Sequence, residues 1–220
     1  MAEVQRSSAG ARGALLALLA LLALLVAAAL LGGCGGSAED DPFEGFWIGG
    51  GATGMKLVHI VRDGDAYKIF ANPDYEAPAP TKEGEALVVG THAATMSFLP
   101  AGTDRLTMDL SGDAFDAPEQ TELKRVSETQ YADAAVGFGL SSIQRGLAMW
   151  KEGGGKKYPP ASEVTPTGML SQMVSWPINL FTGEPMQPRE SKGDYTYKLV
   201  AGGKQYSLIG YLSDGSTVGK

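Results

Sequence analysis

The chain has 220 residues, with 18 lysines and arginines against 25 aspartates and glutamates, a net charge of −7 with two neutral histidines. That acidic balance lacks the basic footprint nucleic-acid binding requires, so no nucleic-acid partner is expected. A single cysteine, Cys34, excludes an intramolecular disulfide, and the two histidines leave little material for a histidine-based metal site.

The first residues carry Arg6 and Arg12, and an uncharged apolar run of 19 residues follows from Gly13 to Leu31. A cationic start, an apolar stretch and small residues at the end form the order of an export signal. The run is also long enough to cross a bilayer, so length alone does not separate signal from anchor. The ending does: Leu31-Gly32-Gly33-Cys34 resembles the lipobox of bacterial lipoproteins, with an aliphatic residue three before the cysteine and two small residues directly before it. The resemblance implies a signal peptide over 1–33, fatty acylation of Cys34, an extracytoplasmic location and the membrane as a partner through the lipid. Residues 34–41 then read as a flexible acidic spacer. The mature chain would hold 187 residues, and two domains are expected, 42–127 and 128–220.

From Pro42 onward short β-type runs alternate with turn residues. Expected strands are 45–49, 55–62, 65–70, 86–89, 94–99, 105–110 and 122–126. Asp63-Gly64 is expected to supply the two positive φ values of a type I′ hairpin turn. Asn72 to Pro80 contains Pro73, Pro78 and Pro80 and reads as an exposed loop. Seven strands without a helical period predict a small antiparallel β-barrel or a strongly curled β-meander. Phe43-Glu44-Gly45-Phe46-Trp47 resembles the Gly-x-Trp start of lipocalin-like domains, which implies that Trp47 plugs one end of a barrel. A barrel of this size holds either a filled core or one small apolar ligand, and Trp47 is the candidate ligand contact in the second case. Gly49-Gly50-Gly51 lacks the following lysine and helix of a phosphate-binding loop and reads as a strand-end bend.

Residues 131–151 form the one helical pattern, with Val136, Leu140, Ile143, Leu147 and Trp150 on one face. Gly137, Gly139 and Gly146 weaken it intrinsically, so packing must hold it. Strands are expected at 194–200, 205–212 and 216–218. In order along the chain come Lys157-Tyr158-Pro159, Trp176-Pro-Ile-Asn179-Leu-Phe-Thr-Gly183-Glu-Pro-Met186, Gly193-Asp194-Tyr195-Thr-Tyr197 and Tyr206-Ser-Leu-Ile-Gly-Tyr211. This succession resembles the globular heads of type II secretion pseudopilins and type IV pilins. The resemblance spans about 132–215 and implies an α+β head with one long helix on a short antiparallel sheet. The phenylalanine-led stem helix of a pilin is absent, so a fibre subunit is not expected. The resemblance also raises a calcium site at Asp214, but Asp214 is the only carboxylate after Asp194, too few for an ion that takes six to eight oxygens. A plain Asp-Gly turn is expected there instead.

No catalytic residues are expected. His59, read as out of step with Leu57, is expected to face solvent, and His92 to end a strand. Asp63 with Asp65, and Asp113 with Asp116, sit in polar turns. The chain therefore reads as α+β overall and as a non-enzymatic cell-envelope protein without cofactors. Its expected role is binding or assembly with protein partners near a secretion or pilus apparatus, or else carriage of a small apolar ligand by the β-domain. Intact-mass analysis of membrane-extracted protein should give a chain that begins at an acylated Cys34; an unacylated chain starting at Met1 would remove the lipoprotein expectation.

Overall fold

Residues 42–127 fold into a nine-stranded antiparallel sheet, and residues 128–219 supply a helix that packs on its outer face and a smaller sheet that packs on the helix. The computed structural model describes residues 41–51, 54–72, 75–91, 93–113 and 117–219. The expected signal peptide, Cys34, nearly all of the expected spacer, His92 and Asp116 lie outside the described residues. Pro42–Lys220 forms one compact unit.

The large sheet comprises β1 (Gly45–Gly51), β2 (Gly54–Asp63), β3 (Ala66–Ala71), β4 (Tyr75–Glu76), β5 (Thr81–Glu83), β6 (Ala86–Gly90), β7 (Thr95–Pro100), β8 (Arg105–Ser111) and β9 (Glu119–Val126). Their order is β4-β3-β2-β1-β9-β8-β7-β6-β5. Every neighbour pair is consecutive in sequence except β1 with β9, where Phe46 faces Val126 and Gly49 faces Leu123. The free edges β4 and β5 are also consecutive, joined by residues 77–80. Nine strands laid flat would separate those edges by about 38 Å, whereas the link from Glu76 to Thr81 reaches at most about 18 Å. The sheet must therefore curl until its edges approach one another. Trp47, Ile60, Ile69, Leu87, Phe98 and Leu106, drawn from strands on both arms, meet in one interior cluster.

Two features differ from the sequence expectation. The loop over Asn72 to Pro80 is shorter than expected because β4 and β5 flank it, both at edges where proline costs no ladder bond. The β2–β3 hairpin turn is also shifted by one residue. Asp63 pairs with Ala66, so the loop is Gly64-Asp65, and of these two only Gly64 has positive φ, 64°. Glycine in the first central position suits a type II′ turn and leaves Asp63 to accept a bond from Lys68 Nζ at 2.8 Å.

Helix α1 (Glu128–Glu152) starts three residues earlier than its apolar period suggests. Ser127 and Gln130 form a capping box: the Gln130 amide donates to Ser127 Oγ at 3.2 Å, and the Ser127 amide donates to Gln130 Oε1 at 3.0 Å. Val136, Leu140, Ile143 and Leu147 pack on Tyr195, Tyr197 and Leu208 of the second sheet, β12 (Tyr195–Val200), β13 (Gln205–Tyr211) and β14 (Thr217–Gly219). A short pair, β10 (Ile178–Asn179) with β11 (Glu184–Pro185), stands between helix and sheet in sequence.

A second stripe of α1, Tyr131 and Ala135, covers Leu57 on the outside of the large sheet, with Phe46, Ile48 and Val126 around it. Consequently β2 buries both Leu57 and Val58, one toward each side. The chain is thus α+β, with the large sheet, α1 and the second sheet stacked through one shared helix. Because α1 makes Leu57 a core residue, Leu57→Ala should cost about 2–5 kcal/mol in urea unfolding. Leu99→Ala, at a position 43% exposed, should cost less than about 1 kcal/mol.

Candidate binding cleft

The segment from Trp176 to Tyr195 is organised by one buried carboxylate. Asp194 is fully buried; its Oδ1 accepts from Asn179 Nδ2 at 3.0 Å and from the Gln187 amide at 2.9 Å, and its Oδ2 accepts from Arg189 Nε at 2.6 Å. A buried charge is tolerable when paired and hydrogen-bonded in this way. Asn179 also donates to Lys192 O and accepts from the Phe181 amide, each at 3.0 Å. Gly193, at φ 81°, lets these groups approach, since a Cβ there would lie 2.0 Å from Asn179 Oδ1. Trp176 Nε1 donates to Met186 O at 3.0 Å and closes the loop over β10 and β11.

This loop presses on α1 at a glycine. A Cβ on Gly139 would lie 2.6 Å from Met186 Sδ and 2.9 Å from Pro177 Cβ, so the residue that weakens the helix also admits its neighbour. On the far side Tyr195 Oη donates to Val164 O at 2.5 Å and Tyr197 Oη to Pro159 O at 3.0 Å. Burial pushes both phenols up, Tyr197 to about 12, so both remain protonated donors.

Where the stripe of α1 that begins with Tyr131 and Ala135 runs on toward the helix C-terminus, it floors a cavity of about 230 Å³. One wall is Pro177 and Ile178, and the other is the β3–β4 corner at Asn72 and Tyr75. Asn72 has a left-handed backbone, φ 57°, a conformation asparagine tolerates, and its amide donates to Leu57 O at 2.9 Å. The polar lining is Ser141, Ser142, Ser175 and Arg145. Ser142 Oγ donates to Ser175 O at 3.0 Å, tying helix to loop. Arg145 is exposed and forms no salt bridge with a described residue. Apolar walls, hydroxyls and one open guanidinium suit a segment with an acidic group and an apolar body.

No protein-family model, curated protein or solved structure matches the chain.

The residues singled out in the sequence fall in separate places. Trp47 is fully buried; its Nε1 donates to Phe43 O at 2.8 Å, and the Arg125 guanidinium stands 4.5 Å from its ring centroid. Arg125 Nη1 in turn donates to Glu44 O at 2.7 Å. The interior around Trp47 is packed with side chains, and Phe43, 1% exposed, lies beneath a surface depression lined by Lys82, Glu85 and Pro100. Hydrogen bonding from the Ser216 side chain, and next from the Ser216 amide at 2.8 Å, holds the Asp214 carboxyl below the usual range. Among the described residues no three histidine, cysteine or acidic side chains are grouped to hold a metal. The expectation that His59 faces solvent is corrected. Residues two apart on a strand share a face, so His59 lies beside Leu57 on the face that α1 covers. Its ring stacks on Phe46 with centroids 4.1 Å apart, and Tyr131 lies 6.3 Å away. Arg125 and Arg145 escaped the sequence reading because each acquires its setting from partners far along the chain.

Two predictions follow from these contacts. Gly183 and Gly193 both have positive φ, but a Cβ at Gly183 meets nothing. In thermal melts Gly183→Ala should cost about 1 kcal/mol and Gly193→Ala at least about 2 kcal/mol more, through loss of the Asp194 network. Burial lowers the His59 pKa below 6.5, against opposing pulls from Glu128 and Glu44. The unfolded chain then binds the extra proton, so this group's stabilisation is complete above pH 6.5 and declines as pH falls through the folded value. The urea midpoint should drop between about pH 7 and about pH 5.5, and His59→Phe should flatten that drop.

Proposed function

We propose that this chain is a non-catalytic, lipid-anchored binding or assembly module of the bacterial cell envelope, working outside the cytoplasm beside a type II secretion or pilus-like apparatus. The lipobox-like Leu31-Gly32-Gly33-Cys34 supports the anchor and the location. The resemblance of 132–215 to pilin heads supports the apparatus. One observation carries the binding role: Asn179 of the pilin-like motif, with Gln187 and Arg189 beside it, converges on Asp194, and the loop they hold forms one wall of the cleft below Arg145. A rigid loop, a helix stripe and a corner of the large sheet together make a preorganised surface, which lowers the ordering cost of binding. The packed interior around Trp47 favours this role over carriage of an apolar ligand.

The cleft recognises an acidic, partly apolar segment of an envelope protein, with Arg145 meeting the acid and Tyr75 and Pro177 meeting the apolar part. With Cys34 acylated, a Ser142→Cys variant carries a single free thiol. Thiol-directed crosslinking in cells should give a discrete adduct with a pseudopilin or another envelope protein, and adding Arg145→Glu should reduce that adduct about 10-fold or more. An adduct no stronger than that from Lys82→Cys, on the opposite arm of the sheet, would falsify the role of the cleft.

A further inference from the structure

The second half of the chain is nearly neutral, but its charge is not spread evenly. Residues 128–220 hold 9 lysines and arginines and 8 acids. Five of those lysines, Lys151, Lys156, Lys157, Lys198 and Lys204, fall in the two segments 151–158 and 198–206, where Glu152 is the only acid. The fold brings the two segments together. The Tyr158 amide donates to Gly203 O at 2.9 Å, and a Cβ on Gly203 would lie 3.3 Å from Lys157 Cδ. Lys151 Nζ donates to Lys156 O at 3.2 Å and sits 5.3 Å from the centroid of the Tyr158 ring, which packs edge-on against Tyr206 with centroids 4.7 Å apart. Tyr206 pairs with Leu199 across the β12–β13 hairpin. Together the two segments carry a net charge of +4 at one end of the second sheet, with Lys198 on the opposite side of the hairpin from Tyr206.

At its tip this surface is apolar. Leu199 and Val200 are 41% and 47% exposed, and strand alternation points them to opposite sides of the hairpin. The last cross-strand pair is Val200 with Gln205, and the chain reverses through Ala201 and Gly202, both of positive φ. The tip is therefore a narrow wedge with two aliphatic side chains at its end and Lys198 and Lys204 beside them. Lysine is the residue that keeps an open sheet edge from pairing with another chain, so edge-to-edge association is a poor use of this end. Clustered lysines around exposed aliphatics match a surface that is anionic outside and apolar a few ångströms below.

We infer that the β12–β13 hairpin tip, with the 151–158 loop beside it, docks on an anionic phospholipid surface, the lysines meeting headgroup phosphates and Leu199 and Val200 entering the interface. The contact lays the second half of the chain against the membrane and turns the acidic large sheet, with 13 acids and 7 bases over residues 42–127, away from it. It goes beyond the anchor proposed at Cys34 and does not depend on it, because the docking residues all lie after Lys151.

The test uses residues 42–220, which form one compact unit. Co-sedimentation is measured with vesicles of phosphatidylcholine alone and with an equal mixture of phosphatidylcholine and phosphatidylglycerol. Binding should appear only with the mixture and weaken several-fold on raising salt from about 0.1 M to about 0.5 M. Lys157→Glu with Lys204→Glu should lower the partition coefficient about 10-fold or more, and Leu199→Ser with Val200→Ser about 3-fold or more, with thermal midpoints unchanged. Lys82→Glu, on the large sheet, should leave binding as it was. Equal binding to both vesicles, or an equal loss from Lys82→Glu, overturns the inference. So does binding that ignores the two serine substitutions, which would mark a general polyanion site. Because this chain lacks Cys34, failure here leaves the anchor standing, and absence of acylation leaves this result standing.

Discussion

Helix α1 buries two stripes at once, and the arrangement of everything after residue 42 depends on it. One stripe, Val136 to Leu147, closes the core of the second sheet; the other, Tyr131 with Ala135, lies on Leu57 and Phe46 outside the first. A helix with three glycines has little intrinsic stability, so it persists because both sides are occupied. Those glycines have a use in the packed state. Gly139 gives up helix propensity and gains the close seat of Pro177 and Met186, without which the Trp176 loop would stand away from the helix. The cleft wall, the Asp194 network and the link between the two sheets all follow from that approach.

The large sheet solves a different constraint. An open antiparallel sheet exposes two edges, and here those edges are short, proline-flanked and tied to each other by residues 77–80. Curling brings the arms together over a common interior, and Trp47 with Arg125 above it marks where β1 and β9 join. The guanidinium spans the join, stacking on the ring from β1 and reaching Glu44 O just before it. This half is acidic around an apolar interior, and the second half carries the lysine-rich end.

Much of this architecture was legible in the sequence, and the gaps have physical causes. Period-two alternation marked seven of the nine strands of the large sheet, and the four-three spacing from Val136 to Trp150 marked the helix. Strands of two or three residues, such as β4 and β5, carry too few alternations to be seen. The helix begins at the capping box of Ser127 and Gln130, ahead of the first apolar position of its period, so apolar spacing alone does not mark that end. His59 was placed on the wrong face because it was read as out of step with Leu57, although residues two apart on a strand share a face; that face is covered by α1, more than seventy residues on. The motif order from Trp176 to Tyr197 was visible, whereas its centre on a buried carboxylate needed Asn179, Gln187 and Arg189 to be brought round Asp194 by the fold. The cleft was not legible at all, since Tyr75, Arg145 and Pro177 meet only in three dimensions.

The pairing of β1 with β9 also sets an order of events. Arg125 reaches back to Glu44 across 81 residues, so the strand that starts the sheet has only one neighbour until the strand that ends it exists. Local hairpins such as β2–β3 and β7–β8 can form early, but joining the arms means closing nearly the whole of this half as a loop, a slow step for a chain of high contact order. Leu57 and Phe46 stay uncovered even longer, because the helix that shields them follows β9 directly. A chain emerging from its N-terminus therefore carries an unfinished strand until β9 arrives and an apolar outer face until α1 follows, and the second sheet, built from residues after α1, is completed later still.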